Sequence, residues 1–92
     1  MTEFLVELYV PRGESDAAAG AARRARRAAL EISRQGARVS FVRSIFVPDD
    51  ETCFHLFEAD TADAVREVAS RAELVYERIA EARGSETTSS CG

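Results

Sequence analysis

The stretch RVSFVRSIFVPDDETCFHLFE, Arg38 to Glu58, decides the fold of this chain. Its first part, Arg38 to Val47, is dominated by Val, Phe, Ile and Ser, which are typical of a β-strand. Pro48, Asp49 and Asp50 then supply turn-forming residues before a second β-like run, Thr52 to Glu58. Two such runs joined by a short turn predict an antiparallel hairpin.

The elements before the hairpin are predicted from the same kinds of pattern. In EFLVELYV, Glu3 to Val10, apolar residues alternate with period two, which indicates a strand with both faces partly covered. PRGESD breaks this pattern, and Ser15 or Asp16 is the predicted N-cap of a long helix that runs to about Gln35. Gly36 is the predicted left-handed C-terminal cap of that helix.

After the hairpin, Asp60 or Thr61 is the predicted N-cap of a shorter helix. A last strand is predicted at Arg78 to Ala82. One domain is therefore expected over residues 1–83, since a chain of 92 residues has room for a single core. The segment GSETTSSCG, residues 84–92, has no apolar periodicity and is predicted to be a disordered tail.

The order β-α-β-β-α-β predicts a ferredoxin-like α+β sandwich. In this fold a four-stranded antiparallel sheet has strands one and three at its centre and both helices on one face. Alternation along the two central strands predicts five apolar residues beneath the helices: Phe4, Val6, Leu8, Phe54 and Leu56. The other face of the sheet would carry Leu5, Glu7, Tyr9, Cys53, His55 and Phe57.

A helix-free face of this composition exposes more contiguous apolar surface than a soluble monomer usually does. We therefore expect a homodimer in which two sheets pack face to face. The same assignment places His55 beside Glu7 on adjacent central strands.

Composition excludes several classes of function. The net charge of −4 argues against binding to nucleic acid. No apolar run approaches the ~20 residues that cross a bilayer, and the N-terminus does not resemble a secretory signal, so we expect a cytoplasmic protein that does not bind membranes. Cys53 and Cys91 lack metal-knuckle spacing and are expected to be free thiols.

His55, the single histidine, leaves three interpretations open. It can be a packing residue, or a ligand for a transition metal together with the carboxylates of Asp49, Asp50 and Glu51. It can also act as a catalytic base with Glu7 and Tyr9, in a cavity between two sheets that takes a small-molecule ligand. No phosphate loop or dinucleotide fingerprint indicates another cofactor.

The run ARRARR, Ala22 to Arg27, places its arginines on the outer arc of the first helix. A solvated helix face is the ordinary interpretation of such a run. A surface that docks another protein is the alternative.

Three segments together, EFLVELYVPR, VSFVRSIFVPDDETCFHLFEA and DAVREVASRAEL, resemble a family of small actinobacterial proteins of unknown function. One member of that family is described as a nickel-binding protein. The resemblance covers Thr2 to about Ala82, and its most specific part is Val42 to Ala59. It implies a dimeric ferredoxin-like fold and nickel as the metal, whereas the candidate ligands His55, Asp49, Asp50 and Glu51 rest on residue type alone.

The sequence thus predicts a cytoplasmic homodimer that binds a transition metal, nickel first, without catalysis. The alternative is a cofactor-independent enzyme or small-molecule-binding protein of the dimeric α+β barrel type.

Overall fold

A computed structural model describes residues 1–83 and shows four strands and two helices in the predicted order. The strands are β1 (Thr2–Tyr9), β2 (Val39–Val47), β3 (Thr52–Ala59) and β4 (Arg78–Ala82). The helices are α1 (Ser15–Arg34) and α2 (Ala62–Arg71), and a short 3-10 turn, Pro48–Asp50, closes the β2–β3 hairpin. The predicted tail, residues 84–92, lies outside the described residues, as does Cys91.

The four strands form one antiparallel sheet in the order β2-β3-β1-β4, with β1 and β3 at its centre. This is the ferredoxin-like α+β fold that the element order predicts. No helix within residues 1–83 is long and apolar enough to span a membrane.

Both helices pack on the sheet through small apolar side chains. The buried face of α1 consists of alanines and one isoleucine, Ala18, Ala21, Ala25, Ala28, Ala29 and Ile32. Because alanine side chains are short, α1 lies close to the strands. Gly36 has a φ of 108°, which a residue with a side chain rarely adopts, and it ends α1 as predicted.

The two helices begin differently. The Thr61 hydroxyl accepts a hydrogen bond from the backbone N–H of Ala64 (3.2 Å), as expected of an N-cap. The predicted cap of α1 is wrong, because Glu14 occupies that position and makes no side-chain capping bond.

The face assignment predicted for β3 is also wrong. In the β1–β3 ladder Val6 lies opposite His55, and Leu8 lies opposite Cys53. Residues directly opposite each other in an antiparallel pair project on the same side of the sheet. Three side chains predicted for the open face are therefore buried beneath the helices, namely Cys53, His55 and Phe57. Phe54 and Leu56, predicted beneath the helices, project from the opposite face and are half-buried.

The acidic residue Glu58 explains why β3 is oriented in this way. Glu58 shares its side of β3 with Phe54 and Leu56, so packing that side against the helices would bury an unpaired carboxylate at a cost of several kcal/mol. Turning β3 the other way buries Cys53, Phe57 and Ala59 and leaves Glu58 at the open face. This orientation also buries the imidazole of His55, whose ring nitrogens have no hydrogen-bond partner among the described residues.

In the outer strand β2, a bulge reverses which alternate side chains face the helices. A bulge between Phe41 and Arg43 shifts the register, so that Phe41 lies opposite Phe57 and Arg43 lies opposite Leu56. Beyond the bulge, Ser44 and Phe46 face the helices, and Ile45 joins the open face.

Candidate functional site

His55 is fully enclosed in the core, with 0% of its surface exposed. The ring lies 6.0 Å from that of Phe41, and Val6 and Ser44 are its neighbours across the two ladders. Neither ring nitrogen has a hydrogen-bond partner among the described residues. The structure therefore gives His55 the surroundings of a packing residue, although its polar atoms are unpaired.

Burial in these apolar surroundings, together with the smaller effect of the positive charge of Arg24, lowers the pKa of His55 from 6.5 to about 4. Arg24 is held nearby because its Nε donates a hydrogen bond to the carbonyl oxygen of Ala72, 2.9 Å away. The imidazole is consequently neutral at pH 7. It does not reach solvent in this conformation, whereas a general base must contact its substrate.

A depression of about 510 Å³ lies where the β2–β3 hairpin meets the ends of β1 and β4. We call it the acidic depression. Its charged and phenolic lining consists of Glu7, Tyr9, Asp50, Glu51, Glu77 and Arg78. Arg78 pairs with Glu7, with 3.7 Å between Nε and Oε1, which leaves the other carboxylates without an ion pair among the described residues.

Glu51 is fixed at this depression by its backbone. It ends the Pro48–Asp50 turn in a left-handed conformation, φ 50° and ψ 43°, and its N–H donates to the carbonyl oxygen of Pro48 (3.0 Å). Its own carbonyl accepts from Val10 N–H (3.0 Å), and its Oε2 accepts from Arg12 N–H (2.9 Å). The hairpin tip is thus tied to the segment after β1, and the carboxylate keeps its second oxygen available.

The structure brings together only part of each candidate set. Asp50 and Glu51 from the proposed metal set share the acidic depression with Glu7 and Tyr9 from the proposed catalytic set. Asp49 is not part of the lining, and His55 lies on the other side of the sheet. The prediction that His55 and Glu7 are neighbours is wrong, because Phe54 is the residue opposite Glu7.

Sequence reasoning did not single out Glu77. It follows α2 in a segment without periodicity, but its N–H donates to the carbonyl oxygen of Glu7 (2.7 Å), which brings it to the depression. Only the pairing of β4 with β1 gives it that position, and no local pattern signals it.

The model of the family described as nickel responsive protein SCO4226-like matches residues 4–82. The chain belongs to this SCO4226-like family. The match covers both helices, β2, β3, β4 and β1 from residue 4 onward, so it applies to the fold described above. It confirms the family resemblance that the strand and hairpin segments indicate.

The crystal structure of SCO4226 from Streptomyces coelicolor A3(2) is similar, with 25% identity and a TM-score of 0.66. The alignment covers 90% of this chain and 98% of that one. No curated protein matches the chain.

The family's description raises the question of whether these residues fit a nickel ion. Within residues 1–83, no three His, Cys, Asp or Glu side chains lie close enough together to hold one metal. The acidic depression offers oxygen donors, and nickel binds more tightly where imidazole is also available. The described residues of one chain therefore do not form a nickel site by themselves.

The helix-free face of the sheet adjoins the acidic depression, since Glu7 and Tyr9 belong to both. We define the open face by its apolar residues Leu5, Ile45, Phe54, Leu56 and Tyr9. Of these, Ile45 and Tyr9 are exposed and the others are half-buried. Glu3 and Glu58 lie at one end of this face, whereas Glu7 lies among the apolar residues, opposite Phe54.

Proposed function

We propose that this protein is a cytoplasmic homodimer that responds to nickel by binding it at the acidic depression, with ligands pooled from both subunits. Nickel is proposed because the SCO4226-like family is described as nickel responsive. The observation that carries the location is the gathering of four carboxylates, those of Glu7, Asp50, Glu51 and Glu77, around one concavity.

The chemistry of these donors sets the expected strength of binding. Carboxylate and phenol oxygens can complete an octahedral shell with water, but they lack the affinity of imidazole for nickel. The proposed role of His55 as a ligand stays a prediction that requires the core to open. Binding in the closed fold is therefore expected to be weak and to depend on the surface carboxylates.

The open face supports the dimer part of the proposal. A partner related by twofold symmetry would cover Leu5, Phe54 and Leu56 and bring a second set of carboxylates towards the first. Pooling donors in this way would offset the shortage of ligands within one subunit.

The alternative function, a cofactor-independent enzyme or small-molecule carrier, required His55, Glu7 and Tyr9 in one cavity. The sheet separates the imidazole from the other two side chains. No other feature of the described residues favours that function.

Removing two carboxylates from the acidic depression should weaken nickel binding. The variant Asp50→Asn/Glu51→Gln keeps side-chain volume, and the glutamine oxygen can still accept the bond from Arg12 N–H. Because two candidate ligands are lost, we expect nickel affinity to fall about tenfold or more, measured by calorimetric titration of metal-free protein.

Asp63→Asn/Glu67→Gln is the matched control, because it removes the same charge from exposed positions on α2. His55→Leu tests the buried imidazole and should leave nickel affinity unchanged. Equal heats for wild type and the Asp50/Glu51 variant would contradict the proposed location, and loss of binding in His55→Leu would return the imidazole to the site.

Placing a charge on the open face should separate the subunits. Leu5 lies opposite Leu56 and Ala80, so Leu5→Glu would bury an unpaired carboxylate in the proposed interface, and we expect dimer affinity to fall about a hundredfold or more by sedimentation equilibrium. Leu30→Glu introduces the same charge on α1, across the sheet, and should leave the dimer intact. A wild-type chain that sediments as a monomer would refute the dimer.

A further inference from the structure

The outer surface of α1 carries positive charge around an exposed leucine. A depression of about 420 Å³ is lined by Ala22, Arg23, Arg26, Arg27 and Leu30. A second depression of about 360 Å³ shares Arg26 and Leu30 with it and extends to Phe41 of β2. Leu30 is 52% exposed, although α1 has a well-packed apolar face on its other side. We call Arg23, Arg26, Arg27 and Leu30 the arginine–leucine surface.

The three guanidinium groups form no ion pair with any residue that the structure describes. Ion pairs among residues 1–83 involve Arg38, Arg66, Arg71, Arg78 and Arg83, and none involves the arginine–leucine surface. Arg26 instead lies over the Phe41 ring, 5.3 Å from its centroid, which orients its guanidinium beside the second depression. Like charges at i and i+4, such as Arg23 and Arg27, repel one another and destabilise a helix slightly.

Leu30 gives this surface an apolar contact point among the charged groups of the arginines. The guanidinium group of arginine can donate two parallel hydrogen bonds to one carboxylate. Arginines around an exposed apolar side chain are typical of the centre of a protein interface. The chain as a whole carries a charge of −4, so this surface is a local positive region on an acidic protein.

We propose that the arginine–leucine surface docks an acidic segment of a partner protein, which places an apolar side chain over Leu30 and carboxylates against Arg23, Arg26 and Arg27. A polypeptide is favoured over nucleic acid because it can place an aliphatic side chain on Leu30, and because nucleic-acid binding usually needs a larger basic face than three arginines on a chain of charge −4. The surface lies across the sheet from the open face, so it stays accessible when the open face is covered.

The test uses fluorescence anisotropy with a labelled helical peptide that presents glutamates flanking one leucine at i, i+3 and i+4 spacing. At physiological ionic strength we expect saturable binding. The affinity should fall about tenfold in Arg27→Glu, which removes a charged contact, and about tenfold in Leu30→Ser, which removes the apolar contact. The same peptide with its leucine replaced by serine should also bind about tenfold more weakly.

Arg12→Glu is the control, because it reverses one exposed charge before α1 begins, outside both depressions. The first two turns of α1 separate it from Arg23 by about 11 Å along the helix axis, which exceeds the Debye length at ordinary ionic strength, so it should change affinity less than about twofold. Equal weakening by Arg12→Glu, tighter binding of a 20-base single-stranded DNA, or no saturable peptide binding would each overturn the proposal. Circular dichroism establishes that each variant is folded.

Discussion

Replacing Phe57 by alanine is expected to lower the free energy of unfolding by about 3–5 kcal/mol. Phe57 is 0% exposed and packs edge-on against Phe41, with 5.5 Å between ring centroids. Truncation leaves a cavity between sheet and helices that α1 cannot fill, because the buried face of α1 is made mostly of alanine. Urea denaturation at pH 7 measures the difference.

Phe54→Ala is the matched control, since it removes the same ring from the opposite face of the same strand. In the separated subunit we expect it to cost much less stability than Phe57→Ala, because Phe54 is only half-buried there. Phe57→Leu, a milder change, keeps the comparison measurable if the alanine variant does not fold. A larger loss for Phe54 than for Phe57 in separated subunits would contradict the orientation of β3.

Acidification is expected to destabilise the fold through His55. Its pKa is about 4 in the folded chain and near 6.5 when unfolded, so between these values the unfolded state binds more protons. Stability contributed by the neutral imidazole is therefore complete above pH 6.5 and is lost as pH falls towards 4. The full difference amounts to about 3 kcal/mol, of which roughly 2 kcal/mol is lost by about pH 5.

His55→Leu isolates this effect from the titration of surface carboxylates. Leucine has a similar volume and no titratable group, so wild type should lose roughly 2 kcal/mol more than the variant between about pH 7.5 and 5. The variant should also be more stable than wild type at pH 7 by about 1–3 kcal/mol, since it removes two buried nitrogens without partners. If the free energy of unfolding changed with pH in the same way in wild type and His55→Leu, the imidazole would have to be solvated or hydrogen-bonded.

The architecture was predictable because turn residues and periodicity are local properties. Pro48 to Asp50 marked the hairpin, and the strand Arg78–Ala82 was predicted with its observed bounds. The orientation of β3 was harder, since both of its sides carry aromatic and aliphatic residues and apolar content alone does not separate them. Glu58 was the available signal, because an acid at the end of one side marks that side as solvent-facing.

The candidate site was predictable only in part for a related reason. Asp50 and Glu51 stand out as turn carboxylates, but their partners Glu7 and Glu77 join them through pairings distant in sequence. His55 drew attention because it is chemically versatile, and that versatility depends on access to solvent, which no local pattern reveals. The bulge between Phe41 and Arg43 likewise reverses which side chains of β2 face the helices, and no proline or glycine marks its position in the sequence.

At the hairpin tip, the left-handed backbone conformation of Glu51 favours glycine, whereas the acidic depression needs the carboxylate of a glutamate. A residue with a β-carbon pays about 1–2 kcal/mol for that conformation, and glycine would adopt it freely. Glycine would also forfeit the carboxylate. If the proposed cation site is correct, thermal stability and cation affinity favour different amino acids at this one position, because a homologue with glycine there would have a more relaxed turn but no carboxylate.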